Sequence, residues 1–417
     1  MGEIAVRDYL LKRFAVLHNR NFRLFWLARV STALAYQMLT VAVGWKMYDL
    51  TGSTFYLGLV GLAQFLPMLV LSLAVGQIVD GFDRRKIIRI CQICEAVGVL
   101  LLAVASYGNW LTKENLLVIV FVIGAARAFE SPALQALLPG LVPEKVFPQA
   151  IALSSSSMQT ATIMGPALGG LLYVFGSAEL FIVIGALYLT GSWWIGRLAA
   201  GPVVTKMPVT LKSVLAGIHF IRSKPLILGA ISLDLFAVLL GGATALLPVY
   251  AREILLIGPL GLGILRSAPA VGALAMSLVL AHSPLQRAVG QKMFYAVILF
   301  GVATIVFAVS RSLWLSLLAL MLLGASDTIS VVVRSSLVQL NTPDAMRGRV
   351  SAVNFMFIGT SNQLGEFESG MLASLMGTVP SVVVGGLGTI AVALLWMKWF
   401  PGLRRLDSLQ PLSKNQS

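Results

Sequence analysis

The chain has 417 residues, of which 58% are hydrophobic and only 12% are charged. Soluble domains carry about 25% charged residues, so this composition excludes a single soluble core and indicates a protein of the lipid bilayer. The formal net charge of +14 then predicts contact with anionic lipid at the cytoplasmic face and not with nucleic acid.

Apolar runs recur along the chain, each near or above the roughly 20 residues that a helix needs to cross the hydrocarbon core. The alternating segments of a membrane β-barrel are not visible, so we predict helices. In chain order, the predicted spans lie near residues 22–48, 55–80, 86–107, 114–138, 148–175, 178–199, 226–252, 257–281, 288–310, 313–338, 345–376 and 379–400. The predicted fold class is an all-α membrane protein with twelve transmembrane helices.

The two halves of the chain match each other in sequence. Shifted by 200 positions, residues 124–172 fall without a gap on residues 324–372, with nine identities in 49 positions. The identities lie mostly on Gly, Pro and Ala, which fix bends and close helix contacts. The match predicts two pseudo-symmetric six-helix bundles, although membrane helices rich in Gly and Ala can also match by composition alone.

Polar breaks divide the chain into a cytoplasmic amino-terminal segment, an amino-terminal bundle, a cytoplasmic linker, a carboxy-terminal bundle and a cytoplasmic tail. The predicted boundaries are 1–21, 22–200, 201–225, 226–400 and 401–417. Val214, Ile218 and Ile221 stand at helical spacing in the linker, which predicts a short helix on the membrane surface.

The basic residues predict the orientation of the chain. With both termini in the cytoplasm, 23 of the 31 Lys and Arg residues fall in inside segments and four in outside loops. This distribution satisfies the positive-inside rule. Residues 1–23 show no cleavable signal pattern, so we expect the first helix to direct membrane insertion.

Ten charged residues fall inside predicted spans, where each costs on the order of 2.5–3.5 kcal/mol on insertion scales, so we expect them to face protein or water. They are Arg29, Glu95, Arg127, Glu130, Asp234, Arg266, Asp327, Arg334, Glu366 and Glu368. Two interpretations stay open: internal ion pairs that hold helices together, or a central polar cavity in which a carboxylate exchanges a proton.

Spacing along the helices limits how these charges can act. Arg127 and Glu130 are three residues apart and can pair, whereas Asp327 and Arg334 are seven apart and share a face. The two acids of the eleventh span are only two residues apart, so both cannot face one cavity.

Three polar residues lie deep in predicted spans and are candidate substrate contacts. They are Tyr36, Gln37 and Asn354. Each can equally serve as a hydrogen-bonding partner for a neighbouring helix.

The stretch GQIVDGFDRRK, which begins at Gly76, joins the second and third spans. The glycine permits close helix packing, Asp80 can face the positive end of a neighbouring helix, and Arg84 and Arg85 can anchor the loop in anionic headgroups. This pattern resembles the signature loop of the major facilitator superfamily, with Asp83 where glycine is usual. The resemblance implies that the loop gates a conformational change.

The fifth span contains Gly165, Pro166, Gly169 and Gly170, a combination that bends helices and permits close backbone approach. It is similar to a motif of superfamily exporters that exchange substrate for protons, although Ala161 replaces an earlier glycine of that motif. The resemblance implies a hinge between the bundles.

At closer range the chain resembles the superfamily branch that includes enterobactin-type siderophore exporters. The likeness is carried by RAFESPALQALLPGLVP from Arg127, LRSAPAVGA from Leu265 and PDAMRGRVSAVNFMFIGTSNQLGEFESG from Pro343. It implies a bacterial inner-membrane carrier that exports a small amphipathic molecule, with a siderophore as the first choice, in exchange for protons.

Cofactors and enzymatic chemistry are not predicted. The sequence contains no Gly-x-x-x-x-Gly-Lys phosphate loop, so we expect no ATP hydrolysis. Cys91 and Cys94 form a lone C-x-x-C without a second pair or a nearby histidine, and we therefore expect helix packing there and no metal. The three histidines fall in cytoplasmic segments, which leaves carboxylates to carry protons.

Other functions remain open from the sequence. A multidrug exporter or a nutrient importer would use the same fold, and a membrane sensor or scaffold would transport nothing. We predict a monomer whose partners are a small-molecule substrate, protons and anionic lipids.

Overall fold

A computed structural model describes residues 15–199 and 211–409, and every regular element in these residues is a helix. Of twelve long helices in these residues, eleven agree with the predicted spans to within a few residues, whereas the seventh ends twelve residues before the predicted end of its span. The twelve helices are α1 Arg20–Thr51, α2 Thr54–Gly81, α3 Arg84–Tyr107, α4 Lys113–Leu137, α5 Phe147–Tyr173, α6 Ser177–Gly196, α7 Pro225–Leu240, α8 Gly258–His282, α9 Val289–Val309, α10 Leu313–Leu340, α11 Asp344–Met376 and α12 Thr378–Trp399.

Nine helical segments in the described residues are long and apolar enough to cross a membrane. The three long helices outside this set are α1, α5 and α11, which carry charged residues, a run of serines, or both. Their lengths are consistent with membrane spans. The count of twelve spans nevertheless stays a prediction.

The chain divides into two compact units. The first contains Met1–Val43 and Leu66–Pro208, and the second contains Gly44–Phe65 and Val209–Ser417. The last residues of α1 and the first half of α2 therefore belong to the second unit. The domain boundaries drawn from the sequence stay predictions, and the parts of the amino-terminal segment, linker and tail at residues 1–14, 200–210 and 410–417 lie outside the described residues.

Aromatic and aliphatic side chains fill the core of the first unit. Phe22 and Phe25 of α1 pack in one cluster with Ile88 of α3. Lipid is as apolar as this core, so the packing stabilises through close van der Waals contact more than through removal from water. A polar contact adds to it, because the indole N–H of Trp26 donates to the Ser157 hydroxyl of α5 at 2.5 Å.

The second unit has a corresponding core. Leu233 of α7, Phe294 of α9 and Trp396 of α12 are buried in one cluster. The Trp396 indole N–H donates to the Ser232 hydroxyl at 2.9 Å. Each unit thus contains a tryptophan, partly buried in the first and buried in the second, whose single donor is satisfied by a serine on another helix, as an environment without water requires.

A helix is present in the linker, as the sequence predicted, and runs Leu211–Ser223. Ile221 is buried and Ile218 packs with it against Val350 and Val353 of α11. These two isoleucines therefore contact protein, and the location of the helix on the membrane surface stays a prediction. The side chain of Val214 lies outside the described residues.

The seventh span is interrupted near its middle. Helix α7 ends at Leu240, and after Gly241 and Gly242 the chain continues through the 3₁₀ turn Ala243–Leu246 and a short π-helix, Tyr250–Ile254. The two glycines end the regular helix because they cost it backbone entropy. Because Arg252 and Glu253 lie in the π-helix, the directions of their side chains do not follow from the periodicity of α7.

Candidate functional site

A buried cluster of charged and polar side chains joins α1, α3 and α4 in the first unit. Gln92 Nε2 donates to Glu130 Oε1 at 2.9 Å, and Arg127 Nη1 lies 3.9 Å from Glu130 Oε2. The Arg127 guanidinium also lies 3.4 Å from the centroid of the Tyr36 ring. The pairing of Arg127 with Glu130 inferred from their spacing is therefore present, and a cation–π contact holds the arginine from its other side.

Glu95 belongs to the same cluster and is completely buried. Its carboxyl group interacts with that of Glu130 and with Arg127, and Arg29 of α1 interacts electrostatically with Glu130. The sequence singled out the charges but missed Gln92. The available signal was a lone amide three residues before Glu95, on the same face of an apolar helix.

A second buried cluster lies in the second unit. Arg334 of α10 forms an ion pair with Asp234 of α7, and the two side chains are only 3% and 6% exposed. Asp327 lines a small cavity together with Asp234, Ser326 and Ser330. Sequence spacing had placed Asp327 and Arg334 on one face, whereas the ion pair that the structure forms joins Arg334 to a residue 100 positions away.

The two acids of α11 have different surroundings. Glu366 interacts with Arg266 of α8, and its Oε2 lies 3.0 Å from the position that a Cβ on Gly61 would occupy. Glu368 accepts a hydrogen bond from the neighbouring Ser369 hydroxyl at 3.4 Å. Glu366 is thus the acid that α2 and α8 enclose within this unit.

The three polar candidates for substrate contact differ as well. Gln37 Nε2 donates to Thr162 Oγ1 of α5 at 3.2 Å, which is the helix-joining role that the sequence left open. Tyr36 contacts Arg127, as described above. The side-chain oxygen of Asn354 is buried and accepts no hydrogen bond from the described residues, so it remains available for a ligand or a water molecule.

The loop before α3 is held by protein contacts. Arg84 Nη1 donates to the Ala136 carbonyl at 3.0 Å, and Arg85 Nη1 donates to the Leu198 carbonyl at 2.9 Å. These two arginines therefore contact α4 and the end of α6, and the headgroup anchor predicted for them stays a prediction. Gly76 lies within α2, and the side chain of Asp80 lies outside the described residues.

Asp83, which departs from the family's loop pattern, has a structural role. It is the N-cap of α3, and its Oδ1 accepts from the Arg85 backbone N–H at 3.0 Å, while Oδ2 pairs with Arg85 Nη2 at 2.7 Å. The side-chain hydrogen bond from Arg85 lowers the pKa of the Asp83 carboxyl below its ordinary value. The substitution thus orders the arginine of the loop.

The glycines of α5 bring it close to α1. A Cβ on Gly165 would lie 2.5 Å from Gln37 Cβ, and a Cβ on Gly169 would lie 3.0 Å from Met38 Cα. Pro166 and Gly170 are also buried within the uninterrupted helix Phe147–Tyr173. The observed role of the motif is close packing, and the hinge function stays a prediction.

A polar cluster that the sequence did not reveal lies where α1 ends, within the second unit. Arg252 Nη1 lies 2.8 Å from Asp49 Oδ1, and the Tyr48 hydroxyl donates to Glu253 Oε1. The sequence had only counted Arg252 among the outside cations. Helical periodicity could not have found these pairs, because the interruption of the seventh span orients residues 252 and 253.

Long apolar helices with buried charges between them are typical of a multi-pass membrane protein with a polar function inside the bilayer. A family model described as transmembrane secretion effector matches residues 11–416, and this match makes the protein a transporter. The chain belongs to this family of the major facilitator superfamily, and the superfamily and fold predicted from the sequence are confirmed.

Curated relatives align over nearly the whole chain. The enterobactin exporter EntS of Citrobacter koseri is 28% identical over 97% of this chain and 98% of its own length. The enterobactin exporter EntS of Escherichia coli O81 is 26% identical over the same shares of the two chains.

Solved structures share the fold. A bacterial homolog of the human lysosomal transporter Spinster, in an inward-facing and occupied conformation, matches 92% of this chain and 97% of its own with a TM-score of 0.73 and 14% identity. The nucleoside transporter NupG matches 92% of this chain and 99% of its own with a TM-score of 0.72 and 14% identity. Identities this low carry information about the fold alone.

Proposed function

We propose that this protein exports a siderophore from the bacterial cytoplasm in exchange for protons. The observation that carries the proposal is the alignment of 97% of the chain with proteins named enterobactin exporters. The partial exporter motif on α5 supports the outward direction of transport. A siderophore is a small molecule with polar metal-binding groups, which suits the polar side chains buried between these helices.

Exchange for protons is supported by acids buried beside bases. Asp234 next to Arg334, and Glu130 next to Arg127, are carboxylates within apolar helices. Ionisable groups inside a membrane protein are costly and mark proton or substrate pathways. The remaining pathway candidates of the sequence analysis are proposed to contribute to the same two clusters or to contact the substrate.

We further propose a location in the inner membrane, with twelve spans in two bundles, both termini in the cytoplasm and a monomeric chain. The excess of Lys and Arg in the predicted inside segments supports this orientation. Reporter fusions to the carboxy terminus and to the loop near Lys113 test it. At the carboxy terminus only a reporter that works in the cytoplasm should be active. In the loop near Lys113 only a reporter that works outside the cytoplasm should be active.

The test of function compares bacteria with and without the gene under low iron. Mass spectrometry of the medium should show one iron-binding compound that accumulates inside cells lacking the gene. That compound is then supplied to everted inner-membrane vesicles, where we expect uptake that requires an acidic lumen and disappears with a protonophore. Vesicles carrying Glu114→Gln, which alters an exposed acid at the start of α4, serve as the matched control.

The outcomes separate the alternative functions. If the media of the two strains contain the same iron-binding compounds, and the gene confers resistance to several unrelated drugs, the protein is a multidrug exporter and not a siderophore exporter. If whole cells take up a nutrient only when the gene is present, the protein is an importer and the proposed direction of transport is wrong. Absence of any gradient-driven movement in vesicles would refute transport.

A further inference from the structure

The first unit contains a buried pair of acids whose surroundings bear on their protonation. Glu95 of α3 and Glu130 of α4 are 0% and 3% exposed, so water solvates neither group. Their carboxyl groups interact electrostatically with each other. Two negative charges buried side by side repel each other strongly, so the pair favours a state in which one of the two acids carries a proton.

The donors around the pair are distributed unequally. Glu130 accepts from Gln92 at one oxygen and has Arg127 at 3.9 Å from the other. None of the described residues donates a hydrogen bond to either oxygen of Glu95. An ionised carboxylate that is buried without donors costs several kcal/mol. The pair therefore favours ionised Glu130 and protonated Glu95.

A second buried group points into the same cluster. The Tyr188 hydroxyl of α6 is completely buried, forms no hydrogen bond with a described residue, and interacts electrostatically with Glu95, Glu130 and Arg127. A hydroxyl can donate to an ionised acid or accept from a protonated one. The cluster thus contains, besides the acids, a buried hydroxyl with no hydrogen-bond partner among the described residues.

We propose that Glu95 and Glu130 together bind one exchangeable proton, and that this pair is the proton site of the export cycle proposed above. In this arrangement Glu95 holds the proton and Glu130 is ionised against Arg127. When the Glu95 O–H bond breaks, the proton leaves the cluster and the Glu95 carboxylate remains. The positive charge of Arg127 then interacts with both carboxylates, which offsets part of the cost of the second negative charge.

Charged and titratable groups face the pair from each packed helix. They are Arg29 and Tyr36 on α1, Cys91 and Cys94 on α3, Arg127 on α4, and Tyr188 on α6. Arg29 and Arg127 supply two positive charges against at most two negative ones, and Arg29 is only partly buried. Loss of the proton therefore leaves a cluster that is close to neutral, and not an isolated negative charge.

Infrared spectroscopy tests the proton site without knowledge of the substrate. The purified full-length protein in liposomes is titrated with alkali, and the carbonyl stretch of protonated carboxyl groups is recorded. The difference between wild type and Glu95→Gln should contain one carboxyl band that disappears as the pH rises. Glu114→Gln should leave the spectrum unchanged.

A second variant keeps the test decisive if Glu95→Gln folds poorly. In Glu130→Gln, Arg127 has no other acid partner in the pair, so Glu95 should ionise and its band should disappear at lower pH than in wild type. A Glu95→Gln spectrum identical to that of wild type, or a Glu95 band at unchanged pH in Glu130→Gln, would overturn the proposal.

Transport measurements in vesicles distinguish a failure of the proposed proton site from a failure of the proposed export function. With the compound identified under low iron, Glu95→Gln vesicles should lose uptake driven by the proton gradient while retaining movement down the compound's own gradient. Full gradient-driven uptake by Glu95→Gln would overturn the proton site and leave export standing. Absence of uptake by wild type would refute the proposed function, whereas the infrared result would still decide whether the pair binds a proton.

Discussion

The ion pair between Asp234 and Arg334 gives a prediction whose size follows from burial. With side chains 6% and 3% exposed, neither charge can return to solvent when the other is removed. Loss of one partner from a buried pair typically costs about 3–5 kcal/mol, whereas replacement of both by apolar residues is often neutral or stabilising. We therefore expect Arg334→Met and Asp234→Val each to destabilise the protein strongly, and the double variant to regain most of the loss.

The assay is heat resistance of the purified protein in detergent, read as the fraction that stays monodisperse after heating. Wild type, the two single variants and the double variant form a double-mutant cycle, which gives the coupling energy between Asp234 and Arg334. A double variant whose loss equals the sum of the two single losses would contradict the reasoning, because it would mean that the two charges do not compensate each other. Activity is not the readout, since both residues are also pathway candidates.

Three further predictions use the same measurement. Gly165→Ala should destabilise the protein by about 1–3 kcal/mol through overpacking, since its Cβ would lie 2.5 Å from another Cβ. Asp49→Arg should lower the stability by at most about 1 kcal/mol, because the ion pair of Asp49 with Arg252 is partly exposed. The double variant Asp49→Arg with Arg252→Asp, which exchanges the two charges, should regain this stability at low salt. Asp83 has a lowered pKa, so it stabilises the folded state above its ordinary pKa of 3.8 and loses this effect as the pH falls through the lowered value. The difference in heat resistance between wild type and Asp83→Asn should therefore shrink as the pH is lowered through that range.

Each of these predictions has a control or a refuting outcome. Gly348→Ala places a methyl group in open space on α11, so it should leave stability unchanged or improve it; equal losses at both glycines would remove the packing argument. A charge swap at positions 49 and 252 that is worse than either single change would exclude the ion pair. A difference for Asp83→Asn that does not change with pH would mean that Arg85 does not stabilise the ionised acid.

The internal repeat adds meaning to the two buried clusters. Under the shift of 200 positions, Arg127 of α4 corresponds to Asp327 of α10, and Glu130 corresponds to Ser330. The repeat thus aligns a charged residue of α4 with a residue of opposite charge on α10. The predicted duplication of the halves therefore implies that the side chains carrying charge diverged.

Much of the fold was readable from the sequence because its causes are local. A helix that crosses lipid must be long and apolar and must satisfy its backbone hydrogen bonds internally, so the apolar runs of the sequence located the long helices, although not the interruption of the seventh span. The Arg127–Glu130 pair was also readable, since three residues along a helix bring side chains together. The carbonyl groups that Arg84 and Arg85 contact were not readable, because positive charge predicts an interface but not which carbonyl groups lie within reach.

What only the tertiary structure decided is how the helices are turned against one another. The sequence determined that Asp234, Glu130 and Gln37 lie within membrane helices, and that polar and charged groups there need partners. It did not determine that Arg334, Gln92 and Thr162 are among those partners. Periodicity fixes the direction of a side chain relative to its own helix axis, whereas contact between helices depends on the rotation and depth of each axis, which packing across distant parts of the chain sets.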